Sequence, residues 1–345
     1  MIVISRANFY KTIVASFFLT RSEEQEKVQL YPAAQFIRNE VKVSIANNPA
    51  LAGSILRLAF HDAVVRSNTY NPYIGGADGE YFITYIIFCS RGSELILFIL
   101  GSIRYELGWN ENRGLSKPLK EIEKIYESQF YNCNVENDKT ICNILSFADV
   151  LALAGAAAVE ASHGPNIPIK LGRIDVAQPD ERYLDRKIES ESDRSSITTS
   201  LPSPGLDSLG LRNFFMRIGL TEEEMVALMG AHDLGRHVTL TGMPKDCLRN
   251  LTRICLEEAP TLAPFITKDP DTFSNTYFKT LLRWNDREIE FGEAAFIPTD
   301  VALVVDEGLK KYVLMFSRDE KHFFRTFSQA YQKLVDSTAK TSLRY

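Results

Sequence analysis

From about residue 30 onward the chain places apolar residues at i, i+3, i+4 and i+7. QFIRNEVKVSIANN, GSILRLAFHDAVV, SFADVLALAGAAAVEA, EEEMVALMGAH and KHFFRTFSQAYQKLVD all follow this spacing. It gathers the apolar side chains on one face of an α-helix. Strand-like alternation is scarce, and IPIKLGRID is its best short run. Pro, Gly, Ser and Asp cluster at 176–206, a polar connection that ends in LPSPG. Helices of similar character resume at once, so this reads as an extended loop between two helical halves. No internal repeat is present. The pattern predicts a mainly α-helical fold in two packed lobes.

One stretch breaks the pattern. Residues 79–102 read GEYFITYIIFCSRGSELILFILGS, greasy enough to suggest a membrane span. A spanning helix needs about 20 predominantly apolar residues. Here YFITYIIFC and LILFIL are split by SRGSE, which carries Arg91 and Glu94. No integral membrane span is expected.

Composition adds bounds. A chain of 345 residues with 45% hydrophobic and 24% charged content has an ordinary globular make-up. Its net charge of −5 gives no electrostatic reason to expect nucleic acid as a partner. Five cysteines, an odd count, do not make a disulfide framework. Cys133 with Cys142, and Cys247 with Cys255, are near enough in sequence to pair under oxidising conditions; idle thiols are the blander alternative. Residues 1–21 hold Arg6, Lys11 and Arg21, several hydroxyl residues and no acid. That is the composition of an organelle transit segment. Residues 1–29 are therefore read as a leader, and the location as chloroplast or another organelle, with the cytoplasm as the alternative.

Of five histidines, two sit in informative frames. In LRLAFHDA, Arg57 and His61 are four apart and share a helical face. A cation and an imidazole side by side on an apolar helix are costly to bury unpartnered. Together they offer a general base and a fixed positive charge. In ALMGAHDLGRH, His232 ends an amphipathic helix and is five residues from His237. That spacing does not suit a zinc hydrolase, whereas a single axial histidine suits haem iron.

The two frames together resemble the plant-type haem peroxidase superfamily. RLAFHD is similar to its distal-helix motif and ALMGAHDLG to its proximal one. ELGWNENRGL, SFADVLALAGAAAVE, GPNIPIKLGRID, LPSP, FSNTYFKTLL and FIPTDVAL match further segments in order. GADG, SIRYEL, NRGL and GRIDVAQPD have the cast of the ascorbate-peroxidase-related group of plants. The resemblance implies a two-lobed fold over 30–340, with haem b between distal and proximal helices.

It also implies roles. His232 would bind the haem iron, and Asp300 would accept a hydrogen bond from its other ring nitrogen; taken alone, Asp300 reads as a helix N-cap. His61 would move a proton between the oxygens of hydrogen peroxide, and Arg57 would stabilise the developing negative charge. Asn112 would fix the tautomer of His61, braced by Glu106; its blander reading is a turn residue. Phe60 would lie over the haem. Phe265, or Ile266 if the register shifts, would supply the proximal side. Asp149 and Arg173 match a structural ion pair. A distal calcium would be held by Asp62, the carbonyls of Val65 and Gly76, and Asp78, with Glu80 where the family has serine.

The expected partners are hydrogen peroxide and a small-molecule electron donor in a response to oxidative stress. Pro49 and Thr241 fall where ascorbate peroxidases carry basic residues, and Asp233 and Ser274 leave the proximal cation set incomplete. Deleting Glu80–Gly101 restores IGGADGSIRYEL, with Ser102 at the position of the missing serine. The segment therefore reads as an in-frame insertion, from a retained intron or a gene-model error. A second reading keeps the fold without catalytic turnover, as a haem-binding or structural module.

Overall fold

The chain is seen in a computed structural model. It describes residues 30–64, 103–105, 107, 112–131, 145–173, 175, 201–202, 204–238, 262–264, 269–284, 296–336, 339 and 344–345. Among these residues helices dominate. Helix α1 covers 30–47, followed by α2 (Leu51–Ala63), α3 (Ser116–Tyr131) and α4 (Phe147–Ala161). After them come α5 (Ser208–Arg217), α6 (Glu222–Met229), α7 (Thr276–Leu281), α8 (Pro298–Val305), α9 (Glu307–Arg318) and α10 (Glu320–Asp336). A 3-10 turn, Gly230–Asp233, continues α6. The described strands are β1 (Arg236–Val238) and β2 (Leu262–Pro264), antiparallel with His237 opposite Ala263. The alternating IPIKLGRID does not form a strand; it contributes a single bridge, Lys170 with Arg344. No described helix is long and apolar enough to cross a membrane.

Helix α4 is the axis of the fold. Its residues from Phe147 to Val159 are all buried, as expected of a helix apolar on every side. Its exposed first-turn amides are taken up twice over. Ser146 accepts from the Asp149 amide at 3.0 Å, and Asp175 accepts from the amides of Phe147 and Ala148 at 2.6 and 2.8 Å. Helix α2 packs along α4. Gly155 makes the crossing possible, because a Cβ there would fall 2.6 Å from that of Ala59 and on top of the Tyr331 hydroxyl. Tyr331, on α10, donates instead to the Ala152 carbonyl at 3.0 Å.

A buried ion pair fastens these layers. Arg173 Nη1 lies 2.7 Å from Asp149 Oδ1, and the guanidinium also donates to the Val335 carbonyl on α10 through Nε and Nη2. The amides of Gly172 and Arg173 complete the carboxylate's partners. Thus the start of α4, the turn at 172–173 and the end of α10 are held by one charged pair. It is the structural pair that the sequence frame suggested.

The second half packs round an aromatic cluster of Phe273, Phe278, Phe316, Phe323 and Phe327, all essentially inaccessible. Helix α6 begins with a reciprocal cap in which Glu224 N donates to Thr221 Oγ1 and Thr221 N to Glu224. Arg212 on α5 bridges Glu222 at the start of α6 to Asp306 after α8, with contacts of 2.6–2.8 Å. This clamp ties α6, which runs into the 3-10 turn carrying His232, to α8, which carries Asp300.

Candidate active site

One stripe of α2 is left uncovered by the described residues. Gly53, Ser54, Arg57, Phe60 and His61 keep accessible surface, while Ile55, Leu56, Leu58 and Ala59 between them, and Asp62 after them, are buried. These positions recur as i, i+1, i+4, i+7 and i+8, one face of a helix. The stripe begins where α2 meets the proximal segment. A Cβ on Gly53 would lie 2.7 Å from Gly235 Cα, so the two backbones touch there without side chains between. Gly235 itself has φ +94°, open to glycine but strained for other residues. At about 1.5 Å rise per residue, His61 stands roughly 12 Å along α2 from this contact. His232 lies three residues before Gly235.

His61 Nδ1 is 2.8 Å from Asn112 Oδ1. An amide oxygen can only accept, so Nδ1 carries the proton and Nε2 the lone pair. Arg57 Nη1 donates to the Arg113 carbonyl at 2.8 Å, tying the guanidinium to the same short segment. Asn112 is buried, and its own carbonyl accepts from the Leu115 amide at 3.2 Å. It is therefore a turn residue and the partner of His61 at once.

Burial, helped by the Arg57 charge, lowers the His61 pKa to about 3. Burial alone lowers that of Arg57 to about 10. Both side chains nonetheless keep accessible surface.

On the other side, His232 Nδ1 is 2.7 Å from Asp300 Oδ1. Asp300 is fully buried and sits in the first turn of α8, where its Oδ2 accepts from the Ile297 amide at 3.1 Å. The carboxylate thus serves the helix start and the histidine together. The N-cap itself is Ile297 rather than Asp300, which is the third residue of the helix and reaches back to the N-cap amide.

Sequence reasoning missed Tyr277. Its hydroxyl donates to the same Asp300 oxygen at 2.8 Å, and its ring meets His232 edge-to-face at 6.1 Å. Burial pushes its phenol well above the ordinary range, so it stays a protonated donor. Only the rule that a buried tyrosine seeks an acceptor could have pointed to it.

Asp233 differs from a cation ligand. Its carboxylate accepts from Ser274 N, Ser274 Oγ and Tyr277 N at 2.6, 3.0 and 2.8 Å. It is fully buried, and burial raises its pKa to about 7. Asp233 caps the start of α7.

The donor set fits a haem iron. With Nδ1 donating to a carboxylate, His232 presents Nε2 as the basic nitrogen, the arrangement typical of a metal-bound imidazole. Phe60 is partly buried beside His61, with ring centroids 6.1 Å apart. Asp62, fully buried, accepts from the Ile103 amide at 3.2 Å. Phe265, Val65, Gly76, Asp78, Ser102 and Glu106 lie outside the described residues, as does Glu80–Gly101. Among the described residues, no cluster of three or more His, Cys, Asp or Glu could hold a metal ion.

Comparison with known proteins decides the family. The peroxidase family model matches residues 37–319. The chain belongs to the peroxidase family. Its relatives place it among the plant-type haem peroxidases. An Arabidopsis thaliana protein provisionally named L-ascorbate peroxidase 6 is 30% identical over 317 residues, 91% of this chain and 71% of its own length. L-ascorbate peroxidase T, a chloroplastic protein of the same plant, is 30% identical over 89% of this chain and 61% of its own. The mitochondrial cytochrome c peroxidase of Cryptococcus neoformans is 28% identical, covering 83% and 62%. The chain spans about six-tenths of the length of the latter two. The mainly helical architecture is that of haem peroxidases.

Proposed function

We propose that this protein is a haem peroxidase that reduces hydrogen peroxide and oxidises a small-molecule donor in one-electron steps. The observation that carries the reading is the matched pair of oriented imidazoles. His61 is held through Nδ1 by Asn112, and His232 through Nδ1 by Asp300. They belong to segments that touch at Gly53 and Gly235.

A bound haem b would supply the redox-active iron at which the peroxide O–O bond is broken. His232 would hold that iron through Nε2, with Phe60 over the macrocycle and Phe265 on the proximal side. The other residues act on protons and charge. His61 Nε2 would take a proton from one oxygen of hydrogen peroxide and return it to the other, which leaves as water. Its depressed pKa keeps the base form available at neutral pH. Arg57, still protonated with a pKa of about 10, places a fixed positive charge beside the departing oxygen. Asn112 prevents the ring from flipping or exchanging tautomers. Asp300 keeps the proximal imidazole electron-rich.

Within this reading Glu80–Gly101 is an insertion. Ile103, directly after Ser102, is fully buried and bonded to Asp62 at the end of α2. That contact supports a return to the peroxidase frame just beyond the segment. A distal calcium ion would be held by Asp62, the carbonyls of Val65 and Gly76, Asp78 and Ser102. The names of the chloroplastic and mitochondrial relatives favour an organelle, where removal of peroxide would serve the response to oxidative stress.

The test is His61→Leu. General acid–base catalysis contributes about 10²–10⁴-fold, so peroxide-dependent oxidation of a donor such as guaiacol or ascorbate should fall by that factor while the haem stays bound. Unchanged peroxide reactivity in the haem-loaded variant would refute the role of His61.

A further inference from the structure

Two fully buried tyrosines place their hydroxyl protons differently. Tyr331, equally buried, uses a backbone carbonyl. Tyr277 instead donates to a carboxylate oxygen already engaged by His232. Its position is not accidental to one contact. Its amide is fixed by Asp233, the neighbour of His232, while its ring packs edge-to-face on the imidazole. Backbone, ring and hydroxyl thus all address the His232–Asp300 couple.

We infer that Tyr277 is a positioning residue for the proximal histidine, dividing Asp300 Oδ1 between its own hydroxyl and His232 Nδ1 and so setting how electron-rich the imidazole is. Three donors converge on the buried carboxylate: His232 and Tyr277 on Oδ1, Ile297 N on Oδ2. Each takes a share of one negative charge. Removing the phenolic donor concentrates that charge on the His232 N–H. The imidazole then becomes a stronger ligand, and the oxidised form of a bound iron is favoured. The inference rests on the haem reading above and adds a residue to it.

Tyr277→Phe keeps the ring and deletes only the donor. In the haem-loaded protein the ferric/ferrous midpoint potential should fall and the ferrous iron–histidine stretching frequency should rise. Incorporating 3-fluorotyrosine at 277, a stronger donor of nearly the same shape, should move both the opposite way. This second variant serves if Tyr277→Phe folds poorly. Phe316→Leu disturbs the same aromatic cluster without touching the hydroxyl, and both readouts should stay at wild-type values. Haem-loaded Tyr277 variants with unmoved potential and frequency would overturn the inference alone, as would Phe316→Leu shifting both equally. A folded wild-type chain that takes up no haem would overturn the haem reading as well.

Discussion

The chemistry at His61 rests on two opposing demands. A base must be neutral to accept a proton, and a buried imidazole beside a guanidinium is neutral because protonation would add a second positive charge in a poorly solvated place. The ordinary histidine pKa is 6.5, and here it is lowered to about 3. Between those values the unfolded chain binds the extra proton and the folded chain does not. His61 therefore costs no stability above about pH 6.5 and destabilises the fold increasingly as pH falls towards 3. For function the sign is the same: stopped-flow rates of peroxide reaction should be flat from about pH 5 to 8 and decline only near pH 3–4. A rate that halves near pH 6.5 would mean that His61 titrates as an ordinary exposed histidine. At this scale the sequence was informative about types and poor about partners. Arg57 and His61 were legible from their spacing. The His232–Asp300 bond came only from the family resemblance, and Tyr277 as a further donor to Asp300 was not read at all, because a hydrogen bond between residues 23 apart leaves no local pattern.

Among elements, the relation between α2 and the turn after α6 sets the distance between the two histidines. Gly53 and Gly235 let these backbones touch, and His61 projects from the same stripe of α2 further along. Gly53→Ala would push a methyl into Gly235 Cα and move the helix. Overpacking of this kind costs about 1–3 kcal/mol, to be read by denaturant unfolding, and haem affinity should weaken with it. If neither changes, the contact does not govern the spacing. Helix existence was visible in the periodicity of α1, α2, α4, α6 and α10. Pairing was not: IPIKLGRID alternates like a strand, but its neighbours are Asp149, Asp336 and the last two residues of the chain. Its alternation reflects one side facing the core at Ile167, Ile169 and Leu171, without an adjacent strand to extend it.

For the molecule as a whole, two halves of similar helical character are joined through α4, α10 and the Arg173–Asp149 pair, and the candidate site lies where α2 faces the proximal turn. The apolar segment Glu80–Gly101 reads in the sequence as an insertion into the peroxidase frame. Deleting it, so that Gly79 joins Ser102, should leave the melting temperature equal or higher and reduce aggregation, since apolar surface is removed. A deletion variant that no longer folds would show that the segment is part of the core. The family was legible from ordered motifs over most of the chain, whereas the donor was not. Small-molecule donors bind at surfaces whose residues follow no fixed spacing.

The most direct measurement is a haem titration of the purified chain followed by addition of hydrogen peroxide, monitored by the Soret absorption. One haem should bind per chain, with a Soret band that shifts when peroxide is added and is lost from His232→Ala. A folded chain that binds no haem, or binds it without responding to peroxide, would contradict the assignment.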